Sequence, residues 1–174
     1  MQLSLSRRAL FKGQLSNTQS PDIRPPWAQP EHAFLDLCSR CDKCASACET
    51  NIIIRGDGGY PRVDFNAGEC TFCNACVSAC ADGALERAET SKIPWNLTAT
   101  IGAECLSANG ITCRVCGDRC DARAIQFKLS MGGVANPIID AATCTGCGAC
   151  VAPCPVNVIT IEHRNERKLE EAAE

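Results

Sequence analysis

The sequence is short of aromatic residues, of histidine and of long apolar runs. Eight aromatics in 174 residues (five Phe, two Trp, one Tyr) are few rings with which to fill a core. The apolar fraction of 45% is raised by cysteine and falls to about 36% without it, modest for a conventional core. No run of 18 apolar residues occurs, so no membrane span is expected. The net charge of −3 gives no overall argument for nucleic acid as a partner. No Gly-rich nucleotide fingerprint is present. The two histidines, His32 and His163, stand alone and read as surface residues. With no base, nucleophile or open metal position to argue for, the chain does not read as an enzyme with its own substrate.

Cysteine is what the chain has in abundance: 16 residues, in one phrase stated four times. The fullest statement is Cys144, Cys147, Cys150 and Cys154, followed at once by Pro155. Cys38, Cys41, Cys44 and Cys48 repeat the C-x2-C-x2-C-x3-C spacing without the proline, as do Cys70, Cys73, Cys76 and Cys80. The remaining statement is stretched at its start: Cys105, then Cys113, Cys116 and Cys120. No cysteine is left over.

Three thiolates at i, i+3 and i+6 wrap one tight loop around a cubane cluster, and in two-cluster ferredoxins the fourth cysteine ligates the other cluster. That fourth residue is expected near the start of a helical turn, where a following proline is tolerated. The small and polar residues between cysteines, such as Thr145-Gly146 and Gly148-Ala149, let backbone N–H groups approach the sulfurs and tune the potential. At about 9% cysteine a disulfide scaffold is the first rival, but such chains are usually shorter than about 80 residues and carry a secretory signal. Zinc is the second, and its modules rarely repeat this run. The expected cofactors are [4Fe-4S] clusters, up to four.

The repeat organises the rest. An apolar pair sits four and five residues after each final cysteine: Ile52-Ile53, Ala84-Leu85, Ala124-Ile125 and Val158-Ile159. Each is predicted to open a short strand. Val63 and Phe65 precede the second run at strand positions, and Ile138 and Ile139 the fourth. The first two runs start 32 residues apart, and the last two, counted from Cys113, start 31 apart. The predicted fold is therefore α+β: two tandem bacterial-ferredoxin-like modules, residues 31–89 and 98–163, each with two [4Fe-4S] loops, joined by a linker at 90–97. A polar N-terminal arm, 1–30, precedes them and a charged tail, 164–174, follows. Gly56-Asp57-Gly58-Gly59-Tyr60-Pro61 and Met131-Gly132-Gly133 are the turns between the halves of each module.

Within each module the sulfurs group in one of two ways. Crossed ligation gives Cys38, Cys41, Cys44 with Cys80; Cys70, Cys73, Cys76 with Cys48; Cys105, Cys113, Cys116 with Cys154; and Cys144, Cys147, Cys150 with Cys120. Local ligation keeps each run to itself. The crossed pattern is expected, because the x3-spaced cysteine points away from its own loop. At the third site Leu106 to Thr112 intervene; they read as a tolerated surface insertion or as the mark of a looser, more exposed cluster.

In the arm, Ser6-Arg7-Arg8-Ala9-Leu10-Phe11-Lys12 looks like a twin-arginine export motif, but the polar Gly13 to Gln19 follows where an export signal needs an apolar segment. Export is not expected. The motif reads as a short basic helix or as a recognition element. Ile23-Arg24-Pro25-Pro26-Trp27 is extended by its prolines, and Trp27 either packs on the first module or anchors a partner.

These residues together resemble the NapF-type ferredoxin-like accessory proteins of periplasmic nitrate reductase systems. The resemblance runs through SRR (6–8), IRPPW (23–27), CSRCDKCASACE (38–49), RGDGGYPRVDF (55–65), CTFCNACVSAC (70–80), TATIGAECL (98–106), CRVCGDRC (113–120) and CTGCGACVAPCPV (144–156). It implies cluster ligation by all 16 cysteines and a cytoplasmic protein. The implied partner is the periplasmic nitrate reductase catalytic subunit, met as a precursor before export, and the implied role is assembly or insertion of its iron–sulfur cluster. A polyferredoxin-type electron carrier or relay subunit is the alternative.

Overall fold

The computed structural model describes residues 22–87, 94–129 and 134–164. The export-like motif, the Met131–Gly133 turn, half of the predicted linker and nearly all of the tail lie outside the described residues.

Short helices and short antiparallel strands alternate. Helix α1 is Glu31–Leu37. Single helical turns α2 (Lys43–Ser46), α3 (Ala75–Ser78) and α4 (Val115–Asp118) each carry the third cysteine of a run. Strands β1 (Ile53–Arg55) and β2 (Pro61–Val63) form a hairpin in register Ile53↔Val63. Strand β3 (Leu97–Ile101) pairs with β6 (Ile159–His163), from Leu97↔His163 to Ile101↔Ile159. Strand β4 (Ile125–Leu129) pairs with β5 (Ala135–Ile139), in register Ile125↔Ile139. The first and last strands of residues 94–164 thus enclose the middle pair.

Three of the four predicted strand openings occur, at Ile53, Ile125 and Ile159. The fourth does not. Leu85 makes a single bridge to Ala28, because Pro25, Pro26 and Pro30 have no N–H to donate to a ladder. Phe65 is buried but lies beyond the end of β2. Leu97, read from sequence as the end of the linker, is the first residue of β3. Residues 22–30, read as part of the arm, lie against the first half: Val63 donates its amide to the Ile23 carbonyl at 2.7 Å and Glu86 donates to Trp27 at 2.9 Å. Trp27 is buried, which decides for packing on its own chain.

The helical turns end before the fourth cysteine rather than beginning at it. The chain reverses three residues later, and that residue is left-handed every time: Asn51 (φ 56°), Gly83 (72°), Arg123 (53°) and Asn157 (50°). Pro155 accordingly follows a turn closed by Cys154 N–H to Val151 O, not a helix start. One continuous core runs through both halves. It includes Phe34, Ile52, Phe65, Leu85, Leu97, Ile125, Val151 and Ile159 together with Cys76 and Cys150, and nine further cysteines pack against it.

Candidate metal centres

In three of the four runs, loop geometry is set by left-handed residues two and four positions after the opening cysteine. Arg40 and Asp42 have φ 60°, Phe72 and Asn74 have 55° and 64°, and Gly146 and Gly148 have 71° and 82°. This alternation curls the backbone so that consecutive thiols converge. At Gly146 a Cβ would lie 2.7 Å from Leu97 Cβ, so the fourth loop needs glycine for space as well as for conformation.

All 16 thiols are free of disulfides. Three cavities of about 20 Å³ are each lined by four of them. Cys38, Cys41 and Cys44 meet Cys80 beside Phe34 and Leu85. Cys105, Cys113 and Cys116 meet Cys154 beside Phe127 and Ile159. Cys144, Cys147 and Cys150 meet Cys120 beside Ala99 and Ile161. The remaining four also lie together: Cys48, Cys73 and Cys76 all act electrostatically on Cys70. Each set joins three thiols from one run with the last thiol of its partner run, which is the crossed grouping.

Burial dominates the chemistry of the innermost thiols. It pushes Cys70 and Cys150 up to about 12, and Cys44 and Cys76 up to about 11, with neighbouring thiols adding to the rise. Cys48 is the exception: burial raises it, but hydrogen bonds from the Thr50 hydroxyl and nearby amides outweigh that and leave it lowered. The Phe72 amide donates to Cys70 Sγ at 3.4 Å, Leu85 to Cys80 Sγ at 3.4 Å and Ala124 to Cys120 Sγ at 3.3 Å. Thiolate in so apolar a cavity requires a positively charged core to balance it. Among the described residues no three His, Cys, Asp or Glu side chains converge tightly enough for a single metal ion. Soft donors ringing a cavity fit a polynuclear iron–sulfur cluster better than one zinc.

The third site is not loose. Cys105 is among the buried cysteines, whereas Cys41 and Cys73 are exposed. The buried Ser107 hydroxyl donates to the Ala135 carbonyl, and Asn109 Nδ2 donates to the carbonyls of Ala103 and Cys105, both at 2.8 Å. The insertion is a tied-down loop. His32 is fully solvated beside Asp36, and His163 ends β6. Sequence reasoning passed over Phe65, Trp95 and Gly148 as site residues, yet they bring the two halves together. Phe65 was flagged only as a strand residue, and Gly148 only as a small residue that lets amides approach the sulfurs.

Two family models match the chain: a 4Fe-4S dicluster domain over residues 37–85 and a 4Fe-4S binding domain over 137–160. The chain is 44% identical over 163 residues to the ferredoxin-type protein NapF of Escherichia coli K12, covering 94% of this chain and 98% of that protein. It is 45% identical over 167 residues to NapF of Haemophilus influenzae, covering 91% and 94%. It is 32% identical over 155 residues to the methylamine utilization ferredoxin-type protein MauM of Methylophilus methylotrophus, covering 80% and 69%. Two ferredoxin-type domains are therefore present, and the cofactors are [4Fe-4S] clusters.

Proposed function

Because the chain belongs to the NapF family of ferredoxin-type proteins, we propose that it is an iron–sulfur accessory protein of periplasmic nitrate reductase. It holds four [4Fe-4S] clusters in two modules, ligated by all 16 cysteines in the crossed sets. It acts in the cytoplasm on the precursor of the catalytic subunit, assisting assembly or insertion of that subunit's cluster, and turns over no substrate of its own. Its modules occupy residues 22–89 and 97–163, and the residues before them contribute to partner recognition.

The observation that carries this reading is that twelve of the 16 thiols line three four-cysteine cavities and the other four lie together, so that no thiol stands outside a group of four. Kinship over 163 residues, far beyond the two stretches matched as cluster domains, supports the accessory role. Free thiols suit a reducing compartment. The clusters supply low-charge redox centres that accept or give one electron; the chain supplies the thiolates, the apolar walls and the amides that donate to sulfur.

The test is anaerobic mixing of the chain, loaded with radioactive iron, with the apo catalytic subunit. Iron movement together with new nitrate reduction is the expected result. The absence of both binding and transfer would overturn the maturation role. A relay role is favoured by one contact, the hydrogen bond between Cys70 and Cys147, which joins the halves at two of their metal-site loops.

A further inference from the structure

Two loops that carry metal-site cysteines meet where the halves join. The amide of Cys70, in the second set, donates to the carbonyl of Cys147, in the fourth, at 2.8 Å. The packing around this bond is close. A Cβ on Gly148 would lie 2.0 Å from Phe65 Cδ1 and 2.6 Å from its Cγ, so the bare backbone of the fourth loop rests on the Phe65 ring. Trp95 stands edge-on to Phe65 and to Phe72, with 5.8 Å between centroids in each case. Its Nε1–H donates to the Thr145 carbonyl at 3.0 Å. One indole thus clamps the second loop, through Phe72, to the fourth, through Thr145.

Within each half the sets also adjoin. Cys76 of the second set acts electrostatically on Cys44 of the first, and Cys116 of the third acts on Cys150 of the fourth. The spatial order is therefore first, second, fourth, third, which differs from the order along the chain.

We infer that the four sites form one continuous electron path in that spatial order, with the Cys70–Cys147 hydrogen bond as the crossing between halves and Trp95 as the residue that holds it closed. The inference rests on the cluster ligation proposed above. From one ligand sulfur to the other the route reads Sγ–Cβ–Cα–N–H···O=C–Cα–Cβ–Sγ, with a single hydrogen bond as its one non-covalent step. One electron crosses at a time. No bond is made or broken and no proton moves, since oxidation at the second site is balanced by reduction at the fourth, or the reverse. The terminals are the first site, where Cys41 is exposed, and the third, whose cavity is lined by the exposed Val115 and Val156. A low-potential one-electron donor, such as a reduced flavin or iron–sulfur protein, serves one terminal and an oxidised metal centre the other.

The test compares full-length, cluster-loaded wild type with Trp95→Ala and Gly148→Ala, all reduced with dithionite under argon. Iron and sulfide per chain report the ligation reading separately: a wild type well below about sixteen irons, four per cubane, would sink that reading and leave this one without its sites. Where iron is unchanged, two further readouts decide. Hydrogen exchange in the segment holding the Cys70 amide should be slow in wild type and roughly tenfold faster in Trp95→Ala, as local opening frees the bond. The electron paramagnetic resonance line shape and power saturation should show spin coupling between the halves that weakens in the same variant, leaving coupling within each half. Should Trp95→Ala lose iron, Gly148→Ala is read in its place, and wild-type exchange is read in either case. Rapid exchange at Cys70 in the loaded wild type would overturn the inference. So would unchanged line shape and saturation in a variant whose Cys70 amide has opened.

Discussion

Arg24 closes on Glu31 through two hydrogen bonds, Nε to Oε2 at 3.1 Å and Nη2 to Oε1 at 2.8 Å. The guanidinium also lies 5.1 Å from the Phe34 ring centroid and donates to the Pro61 carbonyl at 3.1 Å. One side chain therefore ties the proline segment to α1 and to β2. The hydrogen bond from Arg24 holds the Glu31 carboxyl below its ordinary value. A depressed folded value means that the stabilisation is fully present above the ordinary carboxylate range and fades as pH falls through the folded value. Glu31 is 54% exposed, so screening keeps the contribution under about 1 kcal/mol. Anaerobic melting of wild type and Glu31→Gln should show a small Tm gap at neutral pH that closes on acidification. A gap that widens in acid would contradict this account.

Crossed grouping makes an unusual prediction about pairs of distant cysteines. Cys80→Ser should perturb the same cluster signal as Cys41→Ser, and Cys48→Ser the same as Cys73→Ser, because each pair belongs to one set. Mössbauer and paramagnetic resonance spectra of the four variants check it. Local ligation would instead pair Cys80 with Cys73 and Cys48 with Cys41.

Trp27 is buried, but its Nε1–H has no acceptor among the described residues. Its amide donates to the Pro94 carbonyl at 2.8 Å, and the Arg87 guanidinium lies 5.2 Å from its ring. The indole contributes by volume, not by its polar tip. Trp27→Ala should cost about 3–5 kcal/mol, measured as denaturant stability of the loaded protein. Trp27→Phe should cost clearly less, since it removes a buried unpaired donor along with part of the ring.

The long loop of the third site owes its order to Asn109. Asn109→Ala removes two hydrogen bonds to backbone carbonyls, one of them on Cys105, for a loss of about 1 kcal/mol each. Chelator-driven iron release should show one faster phase, with the other three sites unchanged. Uniform acceleration of all four phases would mean that the loop supports the whole fold rather than one site.

Gly117 in α4 faces Phe127: a Cβ there would lie 2.6 Å from Cε2, and the Arg114 guanidinium lies 4.5 Å from the same ring centroid. Gly117→Ala should destabilise by about 1–3 kcal/mol through overpacking, read as a lower Tm of the loaded protein.

Much of the site was legible in the sequence, because cysteine spacing is a local property. Thiols three residues apart share a loop wherever that loop sits, and the apolar pairs after the last cysteines mark strand starts at Ile53, Ile125 and Ile159. The turn at Asn51 and Asn157 could also have been found, since asparagine tolerates the left-handed region; Arg123 in the same conformation carries no such signal. The strand at Leu85 was misread because its pattern is right but its partner segment is built of prolines.

By itself, then, the sequence determined the cofactor class, the number of thiols per loop and the pairing of runs into halves. These follow from covalent spacing and from residue types that act over a few positions. Only the tertiary structure decided which sulfurs face one cavity, that Cys105 is buried while Cys41 is exposed, and that the second loop meets the fourth across Phe65 and Trp95. Those outcomes depend on how bulky rings and bare glycine backbone fit together across 50 or more residues of chain. No local pattern encodes such a fit, since it belongs to both surfaces at once.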